Sequence, residues 1–239
     1  MNFKILVFVL ILPFLVLTNA IGQGKVQIVV SVDWEGDDLT AQNLQAMKDF
    51  RRDFPDIPLQ HFLNAAYYTK PQADAAQITK TIKSVLLPGD EHALHIHAWR
   101  SLVESSAVKF RASPSFVMEG YSQADCPIDC GVDIPLTAYT VAELRKIIAR
   151  SVEILQREKF KRPRSFRAGG WQADDKVLEA LAAEGFTLDS SATDAEFLRA
   201  QWSEYNLYDL VANLWKETKP TSQPYIYTTS SGLKILELP

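Results

Sequence analysis

Histidine and cysteine are scarce in this 239-residue chain, which has four of the first and two of the second. The histidines are His61, His92, His95 and His97, and none follows them. Cys126 and Cys130 have no third cysteine to help complete a thiolate metal site, and no sequence-contiguous metal motif is present. A basic excess is also missing. The formal net charge is −4, which argues against a nucleic-acid surface, since that would show a basic stripe. No internal repeat or low-complexity stretch is visible, and the composition is that of a globular protein rather than a disordered one. After the N-terminus no apolar run is long enough to span a membrane.

What is present begins with MNFKILVFVLILPFLVLTNAIG. One early cation, Lys4, precedes an apolar run over 5–17, and the small residues Ala20 and Gly22 follow. This is the layout of a secretory signal peptide. The run is about 13 residues, short of the roughly 20 that span a bilayer. An uncleaved anchor is the competing reading. Residues 1–22 are therefore expected to be a signal peptide and 23–239 the working domain. Export makes a Cys126 to Cys130 disulfide the first expectation for DCPIDCG. Free thiols and a metal site are the alternatives.

Along the chain, strands and helices alternate. Strands are expected at 25–34, 57–69, 91–99, 163–170, 185–191 and 232–239. Helices are expected at 39–54, 71–90, 140–160 and 173–185. The first strand reads as buried, and Asp38 as a cap of the helix that follows. Pro71 is expected at the start of the second helix. Thr140 and Glu143 form a capping-box pattern ahead of the stripe Leu144, Ile147, Ile148, Val152 and Leu155. The stretch 100–139 is long, irregular and rich in Ser and Pro. Strand–helix alternation implies an α/β fold with a parallel sheet, whose polar strand ends would gather at one mouth.

The polar strand ends carry the chemistry. Asp33 and Glu35 are two apart, as are His95 and His97, so each pair shares a strand face. Charges at the end of a buried strand persist by pairing or by holding a metal. Two imidazoles and a carboxylate form a common zinc set, and zinc brings the pKa of a bound water to about 7. Arg167 adds a guanidinium that would orient and ionise a carboxylate. Asp189 and Ser190, in LDSS, make a fourth polar strand end. His61 reads as a satisfied core histidine, and His92 as structural or exposed.

VSVDWEGDD, EHALHIHAW, FRAGGWQADD and GFTLDSS, in this order, resemble the successive motifs of the polysaccharide deacetylase family, carbohydrate esterase family 4. The resemblance runs from about residue 27 to the end. It implies a distorted (β/α)₇ barrel, possibly incomplete at its C-terminus. It also implies a divalent metal, usually zinc, and hydrolysis of acetyl groups on a polysaccharide or amino-sugar oligomer. By position, Asp33 matches the general base and Arg167 the residue that braces it. Glu35 and His95 match metal ligands. Where the family has a second histidine four positions on, this chain has Trp99, and His97 is taken as the substitute. Trp171, Asp189 and Trp99 are the expected substrate contacts. The family's late general-acid histidine has no counterpart, so the chain reads as C-terminally short. Two other readings follow from these departures: a catalytically impaired glycan binder and a hydrolase of small amides. Exposed aromatics in 100–139 would favour a glycan groove, and a closed pocket a small amide.

Overall fold

The structure is a computed structural model that describes residues 27–117, 126, 128–202 and 205–239. The expected signal peptide lies outside the described residues. Among those described, no helix is long and apolar enough to cross a membrane.

The strands are β1 (Ser31–Asp33), β2 (Gln60–Asn64), β3 (Glu91–Ile96), β4 (Ser165–Ala168), β5 (Leu188–Asp189), β6 (Tyr225–Thr228) and β7 (Lys234–Glu237). The helices are α1 (Ala41–Asp53), α2 (Ala75–Lys83), α3 (Arg100–Ser105), α4 (Val141–Arg157), α5 (Asp175–Ala183), α6 (Ala195–Trp202) and α7 (Asn206–Leu214). One sheet runs in the order β1-β2-β3-β4-β5-β7-β6. Every pairing is parallel except β6 with β7. This is the α/β architecture expected from the alternation of elements.

Register decides what each strand shows to which face. Asp33 pairs with Phe62, Asn64 with His95, and His95 with Arg167. Paired residues share a face and the side-chain period is two. Asp33, Phe62, Asn64, His95 and Arg167 therefore lie on one side of the sheet. Leu63, Leu94 and Phe166 lie on the other and are fully buried in the core. β1 and β4 are three places apart, roughly 14 Å in a flat sheet. Side chains stand nearly perpendicular to a sheet, yet Arg167 reaches Asp33 and Ser31 at 2.9 Å. The sheet is therefore curled, with the polar face inside the curl, as in a barrel wall. Among the described residues no pairing joins β1 to β6.

The capping box at Thr140 and Glu143 is formed, and the stripe on α4 is buried. Other expectations are corrected. The first strand covers only 31–33, and Ile28 and Val29 are 82% and 58% exposed. Among the described residues β1 has a single paired neighbour, β2, to cover it. Thr40, not Asp38, caps α1 by accepting from the Asn43 N–H, and Asp37 and Asp38 are exposed. α2 starts at Ala75 behind the Asp74 cap, with Pro71 in the preceding turn. The irregular stretch contains α3 and a 3₁₀ turn, Leu136–Ala138. α6, α7 and β6 occupy 195–228, where no element was expected.

Candidate metal centre

His95 is the last residue but one of β3, and His97 follows immediately after the strand. His95 Nδ1 donates to the Arg167 carbonyl at 2.8 Å, and His97 Nδ1 to the Val132 carbonyl. With Nδ1 protonated, each Nε2 carries its lone pair. Both Nε2 atoms are buried without a well-formed hydrogen bond. They turn toward the Glu35 carboxylate, 3.6 Å from His95 Nε2 and in closer contact with His97 Nε2. The ligand atoms of Glu35, His95 and His97 all lie within 4.8 Å of one another. Burial would raise the Glu35 pKa, but close contact with both histidines holds it well below the usual carboxylate range. Burial would lower His95, but the neighbouring carboxylates of Glu35 and Asp33 raise it.

Two glycines make this approach possible. A Cβ at Gly169 would collide with the His97 ring. Gly36, at φ +82°, turns the chain after Glu35, and a Cβ there would stand 2.8 Å from the Asn64 side chain and 2.9 Å from Trp99 Nε1.

Asp33 sits beside the triad and is held by Arg167. The guanidinium donates to Asp33 Oδ1 and Ser31 Oγ through NH1, and to Ser190 O and Oγ through Nε and NH2. It also lies 4.3 Å from the Phe62 ring centroid. Such a cation is spent on protein groups, so it positions Asp33 rather than a ligand. A cavity of about 310 Å³ opens above these groups, and Phe116, Asp133, Trp171 and Leu207 contribute to its walls. The Trp171 carbonyl accepts from Trp215 Nε1 at 2.9 Å.

The structure brings Asp33, Glu35, His95, His97, Arg167 and Trp171 to one cavity. It does not bring Trp99 or Asp189 there. Trp99 is buried, donates to the Glu35 carbonyl at 2.9 Å and carries the Lys70 ammonium 3.5 Å from its ring centroid. It underpins Glu35 from behind. Asp189 pairs with Phe166, one residue out of step with Arg167, so its side chain points to the other face of the sheet. There it is fully buried, accepts from Ser191 N and Oγ, and faces Glu237. Burial and then the charge of Asp189 raise the pKa of Glu237, so the pair retains a proton. His92 is also remote: it accepts from Lys161 N and packs on Phe160.

Cys126 and Cys130 are joined in a disulfide. The ring adjoins Gly131 and Val132, and the Cys130 carbonyl accepts from Arg100 N at 2.8 Å. It thus flanks the carbonyl that orients His97. The described aromatics of 100–139 are Phe110, Phe116 and Tyr139, and none of them is exposed.

Sequence reasoning missed Ser31, Phe116, Val132, Asp133 and Leu207. Ser31 is two residues before Asp33, and the strand period could have found it. Val132 acts through its backbone and Leu207 arrives on an unexpected helix, so neither left a signal.

No family model and no curated protein sequence matches the chain. Solved structures similar to it include a Mycobacterium smegmatis protein described as a polysaccharide deacetylase, at 18% identity and TM-score 0.48. That match covers 88% of this chain, which spans 57% of the other. A family 4 carbohydrate esterase of Streptomyces lividans, determined with acetate, is 13% identical with TM-score 0.43, covering 78% and 71%. A de-N-acetylase of Aggregatibacter actinomycetemcomitans is 17% identical with TM-score 0.39, covering 67% and 61%. The functional reading of the site rests on its own geometry and on the four sequence motifs.

Proposed function

We propose that the protein is an exported, metal-dependent hydrolase that removes N-acetyl groups from a polysaccharide or amino-sugar oligomer. One observation carries the metal: two buried Nε2 atoms, each fixed in the ligand tautomer, face a carboxylate within 4.8 Å. Such nitrogens are costly to bury unpaired, and the set matches a common zinc shell. Glu35, His95 and His97 would hold the ion. When bound, it supplies Lewis acidity toward an acyl carbonyl.

The remaining work falls to this chain's own groups. Asp33 takes a proton from the attacking water at its carboxylate. Arg167 keeps that carboxylate aimed, through the 2.9 Å bond from its guanidinium. The proton on Asp33 is then available to the departing amine. Trp171 offers a ring face at the cavity wall for a sugar. Export is supported by the signal-peptide layout of 1–22 and by the disulfide, which suits an oxidising compartment.

A second reading, hydrolysis of a small amide, is favoured by the burial of Phe116 in the cavity wall and by the lack of exposed aromatics among the described residues of 100–139. Elemental analysis of the purified protein, followed by acetate release from N-acetylated oligosaccharides and from small acetamides, tests both. Bound zinc with acetate release from the oligosaccharides is expected. Folded protein that takes up no added zinc overturns the mechanism. Release from small acetamides alone selects the second reading.

A further inference from the structure

Trp34 stands between the base Asp33 and the ligand Glu35, and its side chain goes the other way. It is 4% exposed, and its Nε1 donates to His61 Nδ1 at 3.2 Å. His61 is fully buried on β2, where its backbone pairs with Val32. Its Nε2 lies 3.3 Å from Asp90 Oδ2. Asp90 in turn accepts from Leu59 N at 2.9 Å, Leu87 N at 2.7 Å and Arg51 NH2 at 2.5 Å. Arg51 belongs to α1 and also donates to the Ile57 carbonyl at 2.8 Å. None of Arg51, His61 and Asp90 lines the cavity that holds the triad.

Protons can be distributed along this line in one way. The Trp34 indole only donates, so His61 Nδ1 must accept. The imidazole is then protonated at Nε2, and Asp90 is the acceptor that holds it there. Burial lowers the His61 pKa to about 4 despite the Asp90 charge, so the ring is neutral at ordinary pH. A buried ionic group of this kind is not a cheap way to stabilise a core, because apolar residues of similar size do as well. Here it does something an apolar group cannot: it aims a lone pair at one indole N–H.

We propose that Arg51, Asp90 and His61 form a positioning relay that holds Trp34 and so sets the direction of Asp33 and Glu35. Neighbouring side chains on an extended segment alternate. Pinning Trp34 on one side presents both carboxylates to the other. His61 is the positioning residue, and it acts through Trp34. The relay also ties α1, which buries no residue of its own, to the segment that supplies the base and a ligand. This inference rests on the metal reading for one of its two readouts.

The test uses the full chain with three variants. His61→Asn places Oδ1 where Nδ1 was and keeps an acceptor for Trp34. His61→Gln places an amide N–H where Nε2 was, keeps the bond to Asp90 and leaves the indole unpaired. Both lose the ring, so a role in packing alone would affect them alike. Trp34→Phe removes the donor and serves if His61→Gln does not fold. Zinc affinity is measured by competition with a chromophoric chelator. The backbone amide resonances of Glu35 and Gly36 are followed without metal. His61→Asn is expected within about threefold of wild type, and His61→Gln and Trp34→Phe weaker by about 10- to 100-fold, the usual effect of losing a partner behind a ligand. The two amides are expected to move in the weak variants and hold in His61→Asn. Equal zinc affinity in His61→Asn and His61→Gln, or wild-type affinity in Trp34→Phe, overturns the relay. If the wild type takes up no zinc, the metal centre falls. The amides then decide the relay alone, and unmoved resonances overturn it.

Discussion

Two clusters in this molecule use the same side chains to opposite ends. One joins His95, His97, Glu35, Asp33 and Arg167. The other joins His61, Asp90 and Arg51. In the second, both ring nitrogens of His61 meet protein groups, and Asp90 collects two backbone N–H groups and a guanidinium. In the first, two Nε2 atoms are left facing a half-exposed carboxylate at a cavity. Histidine beside acid therefore does not identify a site. The open valence does, because a buried lone pair without a partner is stable only if something outside the chain completes it.

Breaking the open cluster should give the largest effect. His95→Ala and Glu35→Ala are each expected to lower zinc uptake from about one per chain to none, read by elemental analysis, and to abolish acetate release. Zinc retained in both would erase the contrast between the clusters. Asp33→Asn separates base from ligands: kcat should fall by about 10²- to 10⁴-fold while zinc stays bound. Steady-state kinetics beside metal analysis check this.

Breaking the closed cluster should affect stability. Asp90→Ala leaves Arg51, His61 and two backbone donors without their acceptor. A loss of about 3–5 kcal/mol is expected in denaturant unfolding, with zinc still taken up at saturation. A third buried group, Asp189 with Glu237, sharpens the comparison by its pH dependence. Burial and then the charge of Asp189 hold the folded-state pKa of Glu237 well above its free value of 4.5. Between those values the unfolded chain gives up a proton that the native state keeps, so wild-type stability falls as pH rises. Glu237→Gln should match wild type near the lower end and exceed it by about 1 kcal/mol at pH 8, measured by thermal unfolding at both pH values. A variant less stable than wild type at pH 8 would place the pair among the favourable ones.

The motifs that resemble a deacetylase were legible because each is local. Asp33, Glu35, His95 and His97 occur as two pairs with spacing two, at the C-terminal ends of β1 and β3 and just beyond them. Alternation and caps also marked most of the sheet and α4. The segment with α6, α7 and β6 was not legible. β6 is a mostly exposed antiparallel strand with little buried pattern to read.

The sequence alone determined which residues share a face within one strand, since that depends only on the two-residue period of extended chain. It also determined, through Gly36 and Gly169, where the backbone could turn or pass close to a ring. Tertiary structure alone decided which polar groups would be completed from within. His61 is closed by Trp34, 27 positions before it. Asp189 is turned away from Arg167 by a register offset of one residue between β4 and β5. Trp99, expected at the mouth, is drawn under Glu35 by the turn at Gly36. Each of these depends on register and burial between distant segments. A local pattern cannot encode them, because it specifies the face of a strand and not what the fold will set against it.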